Sequence, residues 1–147
     1  MINPHLRTGV RNDRAPAVVT ADQLTVETRQ SAGATRIAAI HRGMGADRIW
    51  LGKVLNDPAY RSVPHHHAGA ETGGYVLEGK ARIYFGEGYR EYYDLDEGDF
   101  VQVPPWLPHI ECNRSKDARL VWLTARTPDN LVVNLPDVDL PPSEFAS

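Results

Sequence analysis

The sequence predicts an all-β fold, and three observations carry that expectation. Roughly ten short runs are apolar or alternate apolar with polar, the mark of strands. They recur at even spacing, divided by turns rich in Gly, Pro, Asn and Asp. Almost no stretch shows helical periodicity, so the pattern points to a sandwich or a barrel.

Along the chain, residues 1–19 are polar, carry Pro4 and Pro16, and read as an extended arm. Thr20–Gln23 has the form of a capping box and predicts one short helical turn. Arg36–His41 and Asp47–Leu55 read as strands about the Gly43–Gly45 turn. His41 has no spaced partner and reads as an ordinary strand or surface histidine. Asn56–Pro58 is a turn, and Pro64 leads into a histidine run. Tyr75–Leu77 is β-rich and closes on Gly79. Lys80–Phe85 places Ala81, Ile83 and Phe85 on one face and Lys80, Arg82 and Tyr84 on the other. Gly86–Gly88 turns the chain into Tyr89–Leu95. Phe100–Val103 runs to a stiff turn, Pro104–Pro108, and His109–Asn113 returns. Leu120–Ala125 is a buried-looking strand. Leu131–Leu135 is one more, suited to an edge or a second subunit, before a proline-punctuated tail.

The 147 residues suffice for one domain with its own core. Hydrophobic content of 41% and charged content of 24% are those of a soluble globular chain. A net charge of −3 with no basic block argues against nucleic acid. Cys112 is the single cysteine, so no disulfide framework forms, which fits a reducing cytoplasm. The first residues lack the apolar core of a signal peptide, and no run is long enough for a membrane helix.

The chemistry concentrates at His65, His66 and His67, followed by Glu71. Alternation on a strand puts His65 and His67 on one face and His66 on the other. Imidazole with carboxylate suits Fe, Mn, Ni, Co, Cu or Zn. A histidine run can also be a solvated loop or a purification tag, but a tag sits at a terminus and this run is internal. Downstream, His109, Glu111 and Asn113 share a face, with Ile110 and Cys112 opposite.

These stretches resemble the paired motifs of the cupin superfamily, G(X)5HXH(X)3–4E(X)6G and G(X)5PXG(X)2H(X)3N. His65, His67, Glu71 and Gly79 match the first; Gly98, Pro104, His109 and Asn113 match the second. There are four departures. Ala59 and Trp106 stand where the motifs have glycine, seven residues separate Glu71 from Gly79, and His66 is an extra imidazole. The added residue before Gly79 leaves two arrangements open. A β-bulge keeps Glu71 facing inward, or Thr72 takes the inward place.

The resemblance implies a cupin double-stranded β-helix, a jelly-roll barrel, with an extended N-terminal arm. It divides the chain into an arm over 1–30, a barrel over 31–136 and a tail over 137–147. It implies one divalent transition metal (Fe, Zn, Mn or Ni) held by His65, His67, Glu71 and His109. It also implies a homodimer that exchanges the arm or the Leu131–Leu135 strand. Four protein ligands leave positions open for small molecules, as a catalytic metal requires. Glu111 is a candidate general base or a partner orienting an imidazole. Tyr75, Tyr84 and Trp106, with Trp50 and Trp122, are candidates to line a substrate pocket. Expected first is a dioxygenase-type oxygenase of a small enolic or aromatic substrate. A zinc-dependent enzyme like the cupin polyketide cyclases and a non-catalytic metal- or metabolite-binding cupin are the alternatives.

Overall fold

The computed structural model describes residues 15–27 and 33–139. Most of the expected arm, its junction with the barrel and the end of the tail lie outside those residues.

Eleven strands are formed among the described residues, all paired antiparallel. They are β1 (Thr25–Glu27), β2 (Ala34–Ile40), β3 (Trp50–Asn56), β4 (His65–His66), β5 (Glu71–Glu78) and β6 (Ala81–Phe85). Then come β7 (Glu91–Leu95), β8 (Phe100–Val103), β9 (Ile110–Asn113), β10 (Leu120–Thr127) and β11 (Val133–Asn134). One sheet has the order β1-β2-β3-β10-β5-β8, a second β7-β6-β9, and a third pairs β11 with β4. Distant strands are thus neighbours, as the expected jelly-roll barrel requires.

Alternation builds the core. Ala38, Trp50, Val54, Val76, Leu120 and Trp122 turn inward from the large sheet, and Ala81, Ile83 and Leu95 meet them from the small one. Burying a large apolar side chain contributes about 1.5–3 kcal/mol. Trp122→Ala, which opens a cavity in the centre of this layer, would cost about 3–5 kcal/mol. The back of the small sheet carries Tyr84, Ile110 and Cys112, packed against Tyr89 and Val138. Arg61 holds this covering segment in place, its Nη1 donating to Asp137 at 3.1 Å.

Several element boundaries differ from expectation for local reasons. The turn after β2 is a single 3-10 turn over Arg42–Met44, which His41 caps by accepting from Gly43 N at 3.2 Å. β10 runs beyond Ala125 to Thr127, which carries Arg126 onto the inner face. β11 pairs with β4 of the same chain and so lies across the histidine run. The expected capping box is present, with Thr20 N donating to Gln23 Oε1 at 3.2 Å. Ala59 (φ 59) and Trp106 (φ 64) both hold left-handed backbone, so the turn geometry persists where glycine does not.

Candidate metal centre

Three elements bring the site together. β4 presents His65, the following turn presents His67, and the stiff proline turn delivers His109 to the start of β9. His65 and His109 exchange backbone hydrogen bonds, N to O, at 3.0 and 2.9 Å. Their rings are consequently 4.4 Å apart, and His67 lies 5.0 Å from His65 and 5.1 Å from His109. Glu111 follows His109 by two residues on one strand and therefore joins it on the inner face. Its Oε1 is 3.4 Å from His109 Nε2 and 3.9 Å from His65 Nε2. One ligand atom from each of these four side chains lies within 4.8 Å of all the others.

The imidazoles are oriented by the backbone. Nδ1 of His65 pairs with Val63 O at 2.9 Å, Nδ1 of His67 with Leu131 O at 2.6 Å, and Nδ1 of His109 with Leu107 O at 2.8 Å. A carbonyl only accepts, so each Nδ1 carries the proton and each neutral ring keeps its lone pair on Nε2. The three rings are 3%, 2% and 0% exposed in that order, and Nε2 of His65 and His109 has no hydrogen-bond partner. Burial pushes the His65 pKa down to about 4. Burial, then the nearby Arg126 charge, takes His67 down to about 2. Burial works to raise the Glu111 carboxyl, but the His109 and His65 side chains and Arg126 outweigh it and hold it well below the usual range. Neutral imidazoles with inward lone pairs, grouped round one anion, suit a divalent metal.

Glu71 requires a correction. It is exposed at the end of β5, and its Oε2 accepts from Gln102 Nε2 at 2.7 Å. The extra residue does form a bulge, but at Leu77, where the pairing with β10 shifts between Glu78 and Val76. That lies beyond Glu71, so Thr72, Gly74 and Val76 alternate inward undisturbed and Glu71 faces out. Glu111, expected as an accessory carboxylate, occupies the place beside the histidines. His66 also lies outside the group, accepting from Ala68 N at 2.9 Å and facing Trp106.

The aromatic candidates fall elsewhere too. Tyr75 points outward against Phe100, with ring centroids 4.4 Å apart. Tyr84 is buried on the back of the small sheet, and Trp106 is 63% exposed on its turn. Trp122 does face the interior, and Trp50 is core. What the sequence reasoning missed are two buried arginines. Arg126 donates from Nε to Thr72 Oγ1 at 3.0 Å and from Nη1 to Asn130 Oδ1 at 2.7 Å, while its Nη2 lies 3.3 Å from His67 Nε2. Burial lowers its pKa to about 9, with the Arg36 charge adding to the effect. Arg36 enters the same interior from β2. The continued alternation Trp122, Thr124, Arg126 was the signal that would have found the first.

Comparison with known proteins agrees with this architecture. Residues 54–125 match the family model for the cupin domain. The polyketide cyclase RemF from Streptomyces resistomycificus superposes with a TM-score of 0.71 at 20% identity, covering 89% of this chain and 98% of that one. An RmlC-like cupin from Shewanella frigidimarina gives a TM-score of 0.62 at 17% identity, over 78% and 92% of the two chains. Oxalate decarboxylase from Bacillus subtilis gives 0.62 at 23% identity, over 74% of this chain and 30% of that one. No curated protein matches the chain in sequence. No helix among the described residues is long and apolar enough to cross a membrane.

Proposed function

Because this chain belongs to the cupin superfamily and gathers three imidazoles and a carboxylate on one inner face, we propose that it is a metal-dependent enzyme acting on a small organic substrate. The carrying observation is the fixed tautomer of His65, His67 and His109, each Nδ1 tied to a backbone carbonyl and each Nε2 directed inward. His65, His67, His109 and Glu111 would hold the ion. A divalent transition metal there supplies a Lewis acid with room for further ligands. Glu111 brings negative charge to the ion, and a buried ion bound without it would be poorly balanced. Arg126, tied to Thr72 and Asn130, presents fixed positive charge toward the same space and favours a substrate that develops negative charge on oxygen. Trp122 and Ile83 supply the apolar wall.

An enolic or aromatic substrate bearing an ionisable hydroxyl fits those groups, and an oxygenase reaction is the first reading. A zinc-dependent cyclase is the second, favoured by the likeness to RemF over nearly the full length of both chains. In that reading the same cationic surroundings stabilise an enolate during ring closure.

Elemental analysis of protein purified without chelator is the deciding experiment, repeated after stripping and refilling with Fe(II) or Zn(II). Stoichiometric iron with oxygen uptake on an enolic or aromatic substrate supports the oxygenase. Zinc without oxygen uptake supports the cyclase. Protein that takes up neither metal overturns both.

A further inference from the structure

Arg36 is 4% exposed, and its Nε and Nη1 have no hydrogen-bond acceptor. It faces inward from β2 with Val54 as its cross-strand neighbour, and lines a hollow with Asn56, Ser62, His65, Glu111 and Asn134. Asn56 is 2% exposed, and both polar atoms of its side chain are also unpaired. Unsatisfied buried polar atoms are rare, so several around one hollow mark a place built for a polar guest. The charges say which kind. A buried guanidinium with two N–H groups lacking acceptors is unfavourable. Arg126 stands on the other side of Glu111, which lines both of the interior hollows. Glu111 Oε1 faces the histidines, and Glu27 is engaged by Trp50 Nε1 at 3.3 Å and Asn130 Nδ2 at 3.4 Å. Arg36 and Arg126 are thus matched in number by Glu111 and Glu27, and a bound divalent metal would tip the interior to net positive charge.

We infer that this hollow binds the carboxylate of a small organic acid, with Arg36 as its charged partner and Asn56 as a second donor. The inference rests on the enzyme reading above in two respects, the charge of the bound metal and the acid as its substrate. The hollow has room for about one oxygen-sized group. The hollow thus takes the tip of the ligand. The body lies toward His65 and Glu111, which form its other wall. A neutral group of the same shape satisfies the donors but gives Arg36 no anionic acceptor, so charge and shape separate experimentally.

The test is calorimetric titration of the full chain with acetate, its neutral isostere acetamide, and chloride, at one pH and ionic strength. Metal content is measured on every sample. Acetate should bind at least about tenfold more tightly than acetamide or chloride, since hydrogen bonds between ionised groups are about twice as strong as neutral ones. Arg36→Met should weaken acetate at least about tenfold with metal content unchanged, and Arg36→Lys should restore part of the loss. Equal binding of acetate and acetamide, or of acetate and chloride, would overturn the inference in the unaltered protein, whether or not Arg36→Met folds. Acetate binding by Arg36→Met equal to that of the unaltered chain would overturn it too. Metal-free protein with Arg36-dependent acetate binding refutes the metal reading alone. Stoichiometric metal without acetate binding refutes this inference alone.

Discussion

At the residue scale, two glutamates exchange places. Glu71 stands at the motif position, yet its side chain leaves the barrel and pairs with Gln102. Glu111 stands outside the motif, yet its Oε1 comes within 3.4 Å of His109 Nε2. Glu111→Gln should weaken metal binding at least about tenfold, and Glu71→Gln should leave it unchanged, read by competition with a chromogenic chelator. The opposite order would return the ligand role to Glu71. His67→Ala and His109→Ala should each reduce stoichiometric metal to background while far-ultraviolet dichroism stays that of a β protein, because the apolar core packs without the histidines. A variant that keeps its metal would remove that histidine from the ligand set.

At the scale of the element, turns and one bulge decide where side chains point. The bulge at Leu77 absorbs the additional residue of β5 within the half-turn before Gly79. Gly79 itself has φ +96, and a Cβ there would lie 2.6 Å from Arg119 O. Gly79→Ala therefore meets both backbone strain and a clash with main chain, and should cost more than about 2 kcal/mol, measured by denaturant unfolding. Loss below about 0.5 kcal/mol would show that the turn relaxes freely. Ala59 sits in left-handed backbone without being glycine. Ala59→Gly relieves about 1–2 kcal/mol of strain, less about 0.5–1 kcal/mol of added unfolded-state freedom. The melting temperature should rise by a degree or two, and a fall would mean that the Ala59 methyl makes a contact worth more than the strain.

For the molecule as a whole, stability depends on pH through buried imidazoles. His65 titrates near 4 in the folded chain against an ordinary 6.5, and His67 near 2. The unfolded chain therefore binds more protons between those values, and stability falls as pH drops below 6.5. Each imidazole contributes a slope of up to about 1.4 kcal/mol per pH unit, and the stabilisation is fully present above pH 6.5. Urea unfolding of metal-free protein from pH 7.5 to 4.5 should show this decline, and a flat profile would mean that the rings are hydrated. Metal adds to the same balance. At a hundred to a thousand times its Kd, a bound ion stabilises by about 2.7–4.1 kcal/mol. Chelation should then lower the melting temperature by roughly 5–15 °C for a chain of this size. No change on chelation of a metal-loaded sample would place the ion outside the folded barrel.

The sequence by itself determined the all-β class, most of the succession of strands along the chain and the pairing of His65 with His67 on one face. Those features are local. Alternation, turn residues and the spacing of His65 to His67 are written within a few positions of one another. The position of His109 beside them was legible only through the resemblance, because the pairing of β4 with the start of β9 spans more than forty residues. Tertiary structure alone decided the carboxylate, since a bulge six residues after Glu71 and the pairing of β5 with β10 set which side chain faces inward. It also decided the two buried arginines. Position along a strand says that Arg36 and Arg126 alternate, but only closure of the barrel says that their face has no solvent.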